Sequence, residues 1–529
     1  MSVLFGSGSA SAPDSALPAA AAPPPSVLDP TQRVAQRWVW VVAALTAALH
    51  LATAGRYDIF RNELYFIVCG WHPDWGYVDQ PPLVPLLAAA TQMLGTDAWL
   101  LRLPAVIAAA ALIPLVAALA RLAGAGRGGI VLAVVSVALA PALIGVSTLL
   151  TTETFEPLAW TACAYAIACA TVRGERAALL WAGVIAGIAL EAKYGLVMWL
   201  VGLAVGVVLT ASRRLLAWRE CWLGVAIALA IAAPSLLWQW HHGWPFLTVV
   251  AHHARDNFTG DPLRFAIQQI MALNPLLAPL WLTGLVAVFL VPRLRALRFI
   301  AIAFGVSAVI DWFAHGKDYY LFAAYPALFA LGAPVLERLA LWVRAGWLVL
   351  AGLLTLVALP VVLPLLDPPA LAQYLTRTHL RPAPDERAAV GAPLTQVFSD
   401  ELGWRALEQQ VARVYHSLPP AERTRTAILA TNYGEAAALD VYGAADGLPP
   451  ASSGQNQYFL WGPHPSFAEN VIHVNGDPQR WRRLCADVQA VGSFGTPYAM
   501  PYERDRPIFI CRGLRFDLQL AWARFQRYY

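Results

Sequence analysis

Residues Phe60–Leu87 read FRNELYFIVCGWHPDWGYVDQPPLVPLL, a polar and aromatic stretch that ends in a Pro-Pro pair and an apolar tail. Apolar runs flank it at 37–55 and 103–120, each close to the ~20 residues that cross a bilayer. Its own apolar end, Pro82–Leu94, is too short to span and is expected to lie as a helix at the membrane interface. Phe60–Leu87 is therefore the first loop of a membrane protein.

The whole chain agrees with that reading. Its 529 residues are 58% hydrophobic and 13% charged, and its mean hydropathy is +0.54, whereas a soluble domain carries about 25% charge. Further apolar runs occur at 129–148, 157–172, 178–190, 195–211, 222–238, 273–291, 299–313, 320–336 and 345–365. The expected fold is a polytopic α-helical membrane protein of about eleven transmembrane helices. The net charge of +4 is small and dispersed, which argues against a nucleic-acid partner.

Arginines fall in alternate loops, such as Arg121 with Arg127 and Arg213 with Arg214, and these are placed in the cytoplasm together with the N-terminus. The opposite side carries outer loops 56–102, 149–157 and 239–272. Residues 1–30, rich in Ala, Pro and Ser, read as a disordered cytoplasmic tail, and 31–365 as the membrane domain. Residues 366–529 turn polar, with strand-like runs TAILATNY and RPIFICRGL, and read as a soluble α/β domain outside the membrane. Cys485 and Cys511 both fall there, where a disulfide is expected. A transporter would carry ionisable residues near the bilayer midplane; here the polar chemistry is gathered on one side.

Of the 37 basic residues, Lys193 and Lys317 are the only lysines. Both precede tyrosines, as Lys193-Tyr194 and Lys317-Asp318-Tyr319-Tyr320, at outward ends of spans. A compact ammonium suits a phosphate group; snorkelling at the interface is the simpler alternative. Glu63, Asp79, Glu153 and Glu156 share that side. They are either charges at helix starts or groups that orient and deprotonate an acceptor, with a divalent metal bridging Glu63 or Glu156 to phosphate.

FRNELYFIVCGWHPDWGYVDQPPLVPLL, TTETFEPLAW, EAKYGLVMWL, NPLLAPLWLTGL and GKDYYLFAAYPALFALGA together resemble the family 39 glycosyltransferases, which include protein O-mannosyltransferases and aminoarabinose transferases. The resemblance implies a GT-C fold and sugar transfer from a polyprenyl (undecaprenyl) phosphate donor to a lipid, glycan or protein acceptor. It places the reaction on the periplasmic face of a bacterial inner membrane, with no organic cofactor. It matches Glu156 to an acidic position of the second outer loop, and Lys193, Lys317, Tyr319 and Tyr320 to positions near the lipid phosphate; Arg102 is a further phosphate candidate, and Tyr194 and Asp79 are placed with these on the substrate side. The family's first loop carries an Asp-Glu pair whose Asp is the base; here the pair is Asn62-Glu63. An amide cannot accept a proton at neutral pH. Either Glu63 or another carboxylate serves as base, or the chain is a weakened or non-catalytic relative that binds lipid-linked sugar.

Overall fold

The apolar runs become helices because a backbone in hydrocarbon satisfies its own N–H and C=O groups most simply that way. The computed structural model describes residues 30–256, 262–381 and 387–529; the tail expected at 1–30 lies, save for Pro30, outside them. Among the described residues seven helices are long and apolar enough to cross a membrane, among them Val34–Thr53, Leu103–Leu122 and Arg219–His241, and up to nine if two bent pairs each count as one span. The shorter apolar helices Arg127–Ala138 and Ala177–Leu190 occupy two more of the expected runs. The protein is a polytopic helical membrane protein.

Glycines let the helices approach. A Cβ on Gly183 would come within 2.1 Å of the Gly224 carbonyl oxygen, and one on Gly284 within 2.1 Å of the Leu328 carbonyl oxygen. Such small-residue contacts replace a hydrophobic driving force that lipid cannot supply. Helix Pro262–Ala272 meets the next span at a 90° bend, and Leu83–Gln92 forms the short helix expected after the Pro-Pro pair.

The C-terminal part folds around a five-stranded mixed sheet. Its strands are β1 (Thr426–Ala430), β2 (Ser452–Ser453), β3 (Asn470–Val474), β4 (Cys485–Phe494) and β5 (Arg506–Leu514), in the order β2-β1-β3-β5-β4. β2, β1 and β3 run parallel, and β5 and β4 are antiparallel to their neighbours. A Cys485–Cys511 disulfide links β4 to β5.

The opening stretch does not lie as a free loop. Residues 61–71 form a helix with Leu64, Ile67 and Cys69 wholly buried. These side chains share one hydrophobic cluster with Trp404, Val411, Ile428, Leu439, Ile472 and Ile510 of the C-terminal part. At about 1.5–3 kcal/mol for each large apolar side chain buried, this contact is a core and not a passing touch. Its cause is visible in LYFIVCGW, which is apolar on every face of the helix.

The carboxyl ends of parallel strands are where α/β sheets bind ligands. Here that edge holds the first loop instead. Asn456, after β2, donates to Asp79 at 3.2 Å, and the Val78 amide donates to Gln457 at 3.1 Å.

Candidate active site

Two polar clusters form on the loop side of the membrane helices. The first lies where the C-terminal domain meets the first loop. Glu63 is fully buried and both its oxygens are taken. One accepts from Arg102 Nε at 3.1 Å and from the Leu150 amide at 2.8 Å; the other accepts from Arg102 Nη2 at 2.8 Å and from the Phe60 amide at 3.0 Å. Arg102 also donates to the carbonyls of Ala54 and Asp58 and to Glu401 at 3.0 Å.

These contacts correct three expectations. Glu63 has no lone pair left to take an acceptor's proton or to ligate a metal. Arg102 has no exposed face for a phosphate, because burial among oxygens of its own chain uses its donors. The two residues form a strut that ties the first loop, the second outer loop and Glu401 of the C-terminal domain together. Asp79 is likewise held inside the chain, accepting from Tyr65 at 2.9 Å and from Asn456, and burial pushes its carboxyl up to about 6.

One arginine faces two carboxylates in this strut. Burial, opposed by Arg102 and reinforced by Glu63, pushes Glu401 up to about 8. An ordinary glutamate ionises near 4.5, so between that pH and about 8 the folded chain holds a proton that the unfolded chain has lost. Stability from this group is present in acid and fades as pH rises through the window. The melting temperature of the full chain should fall between about pH 4.5 and about pH 8, with a flatter profile in Glu401→Gln. Parallel profiles would refute this assignment.

Asn62 sits beside the strut. Its Oδ1 accepts from the Tyr433 hydroxyl at 2.8 Å. Tyr433 opens a helix, Tyr433–Gly443, capped by Asn432 and Glu435 in a reciprocal box. The Arg61 guanidinium lies 4.5 Å from the Tyr433 ring centre and donates to Tyr502 at 2.8 Å. The C-terminal domain thus supplies the partner of the first-loop residue that departs from the family pattern.

The second cluster lies where helix Glu156–Arg173 begins and helix Ala177–Leu190 ends. Lys193, in the turn after helix Ala177–Leu190, reaches Glu153 at 3.2 Å and Glu156 at 3.0 Å, with its ammonium 4.4 Å from the Tyr320 ring centre. Tyr320 meets Tyr319 edge-on at 5.0 Å, and Lys317 lies 5.7 Å from the Tyr319 ring centre. Burial weakens the hold of Lys193 on its proton, but Glu153 and Glu156 outweigh it and hold the ammonium well above the usual lysine range. The structure thus gathers Glu156, Lys193, Lys317, Tyr319 and Tyr320.

Tyr194 is not part of this cluster. It turns the other way and packs edge-on against Phe246. Asp311, 2% exposed, is an acid the sequence reading passed over. It is the one acid in its apolar run, and its Oδ1 lies against the backbone of Gly316, one residue before Lys317. The proposed metal ligands Glu63 and Glu156 are committed to different cations, Arg102 and Lys193. Among the described residues no three His, Cys, Asp or Glu side chains converge as a metal site. These residues do not fit a divalent cation.

Residues 79–238 match the family of dolichyl-phosphate-mannose-protein mannosyltransferases. The fold is similar to that of ArnT from Cupriavidus metallidurans, solved with undecaprenyl phosphate. The TM-score is 0.58 at 15% identity, covering 90% of this chain and 98% of that one. ArnT in the apo state matches with the same TM-score and coverage at 14% identity. The chain has the GT-C fold. No curated protein sequence matches it. The expected resemblance to the family 39 glycosyltransferases is borne out. Within this GT-C chain the family match spans Asp79, Arg102, Glu156, Lys193 and Tyr194, while Asn62, Lys317, Tyr319 and Tyr320 lie outside it.

Proposed function

We propose that this protein transfers a sugar from a polyprenyl-phosphate donor to a lipid, glycan or protein acceptor on the periplasmic face of a bacterial inner membrane. The observation that carries the reading is the meeting of the chain's two lysines with Tyr319, Tyr320 and Glu156, in a GT-C fold. The disulfide in the C-terminal domain supports an oxidising compartment.

In this reading Lys193 and Lys317 hold the donor phosphate. An acceptor oxygen attacks the anomeric carbon, the bond from that carbon to the phosphate oxygen breaks, and polyprenyl phosphate leaves with one more negative charge. The ammonium groups stabilise that charge as it develops. Position 62 faces the acceptor, and a hydroxyl acceptor must lose a proton there. Asn62 cannot take it, which favours a second reading: a weakened relative that binds lipid-linked sugar and transfers it slowly.

Binding of undecaprenyl phosphate to the full chain in nanodiscs tests the site. Lys317→Gln and Lys193→Ala should each weaken it about 10- to 100-fold, from the ~1.5–3 kcal/mol of a hydrogen bond to a charged group. Lys317→Gln keeps the Lys193–Glu153 and Lys193–Glu156 ion pairs, and its melting temperature, measured alongside, separates lost binding from lost folding. Unchanged affinity in both variants would sink the phosphate assignment.

A further inference from the structure

Helix Pro262–Ala272 reads PLRFAIQQIMA and carries two glutamines in a mostly apolar sequence. Leu263, Ile267 and Met271, four residues apart, form one exposed stripe. Gln269 lies about 200° around the helix from the middle of that stripe, and it is 5% exposed. A bend of 90° joins this helix to the next span. The pattern is that of a helix lying in the plane of the membrane interface, with its stripe toward lipid and Gln269 toward the protein.

Both ends of the Gln269 amide are used. Its Nε2 donates to the Asp318 carbonyl at 2.7 Å, and its Oε1 accepts from the hydroxyl of Tyr325, a wholly buried residue, at 3.0 Å. A carbonyl can only accept, so one orientation of the amide satisfies both partners. Burying an amide costs free energy that an apolar side chain here would avoid; what the amide adds is a hold on Asp318. That residue sits between Lys317 and Tyr319. The same turn is held at its start, where the Gly316 amide donates to the Asp311 carbonyl at 2.9 Å, and it closes where the Tyr320 amide donates to the Lys317 carbonyl at 3.0 Å. Phe265, on the Gln269 side of the helix, meets Trp312 edge-on at 5.7 Å. The inward face of this helix therefore braces the turn that carries Lys317, Tyr319 and Tyr320.

We propose that Gln269 is a positioning residue for the donor phosphate: through the Asp318 carbonyl it fixes the turn from which Lys317 reaches that phosphate. This rests on the assignment of Lys317 to the phosphate. A lysine carries its charge on a flexible four-carbon stem, and ordering that stem on binding costs free energy. A backbone already held in place lowers the cost. Gln269 touches neither phosphate nor sugar, and it acts on donor affinity only through the turn. Because the helix seats its apolar stripe in the outer leaflet, the turn is kept at headgroup level, where a lipid phosphate lies.

The test measures binding of undecaprenyl phosphate to the full chain in phosphatidylcholine nanodiscs, with melting temperature alongside so that lost folding is not read as lost affinity. Gln269→Leu, close in size but unable to make either bond, should weaken binding about 3- to 10-fold. Gln269→Glu can make both bonds while its carboxyl is protonated, and burial favours that form, so at about pH 5 it should bind within about twofold of the native chain at the same pH. In the Lys317→Gln background Gln269→Leu should cost less than about twofold, because the lysine it positions is gone. The proposal is overturned if Gln269→Leu binds as the native chain does, if its effect is undiminished in the Lys317→Gln background, or if Gln269→Glu in acid is as weak as Gln269→Leu. Lys317→Gln alone separates the two readings. If it weakens binding while Gln269→Leu acts independently of it, the phosphate site stands and the positioning role fails. If it leaves binding unchanged, the phosphate placement at Lys317 is wrong and the positioning role falls with it.

Discussion

Arg102→Ala should destabilise the protein by about 3–5 kcal/mol, the largest stability effect expected of a single substitution in this chain. The guanidinium is wholly buried and faces Glu63 and Glu401, whose side chains are 0% and 1% exposed. Removing it leaves two carboxyl groups in a low-dielectric interior without their counter-charge. It also abandons the carbonyls of Ala54 and Asp58, each an acceptor that then has no donor. Because the strut joins the first loop to the C-terminal domain, the loss should appear as lowered melting temperature and as protease sensitivity of 387–529. Arg102→Ala combined with Glu63→Gln and Glu401→Gln should recover much of the loss, since no carboxyl group is then left without its partner charge. A melting temperature unchanged in Arg102→Ala would show that the strut does not hold the domains together.

Asn62→Asp should raise sugar transfer by about 10²- to 10⁴-fold, the contribution of a positioned general base. The geometry for it already exists. Tyr433 donates to Asn62 Oδ1 at 2.8 Å and would donate equally to a carboxylate oxygen, fixing its orientation and leaving the second oxygen for the acceptor's proton. Glu63 cannot stand in, because each of its oxygens already accepts two hydrogen bonds. The measurement is the rate of transfer from a defined undecaprenyl-phosphate sugar. Glu63→Gln serves as the comparison and should act on stability more than on rate per folded molecule. Equal transfer by the native chain and Asn62→Asp would mean that residue 62 takes no proton in the reaction.

Much of the molecule was legible in one dimension. Most of the apolar runs, the short helix after Gln80-Pro81-Pro82, the strands TAILA and RPIFICRGL and the Cys485–Cys511 pair lie where the sequence put them, but the run at 129–148 breaks into Arg127–Ala138 and Pro141–Val146, and the described residues hold seven to nine spanning helices and not about eleven. The site was legible only in part. Lys193, Lys317, Tyr319 and Tyr320 came together as their unusual composition suggested, but Tyr194, next to Lys193 in the chain, turned to the opposite face. Asp311 was hidden inside a span that hydropathy marks as apolar. Tyr433, some 370 residues from its partner Asn62, left no local trace.

The sequence by itself determined that the chain is a membrane protein and where most of its helices run. Those properties follow from transfer energies that add residue by residue along the chain. The tertiary structure decided which polar residues are available for chemistry. An ionised side chain is a base, a phosphate ligand or a buried brace according to the groups within about 4 Å of it. For Glu63, Arg102, Glu156 and Lys193 those groups come from segments far away in sequence. Asn62 shows the division most plainly: its identity is written in the sequence, and its pairing with Tyr433 exists only because the C-terminal domain takes the first loop into its own core.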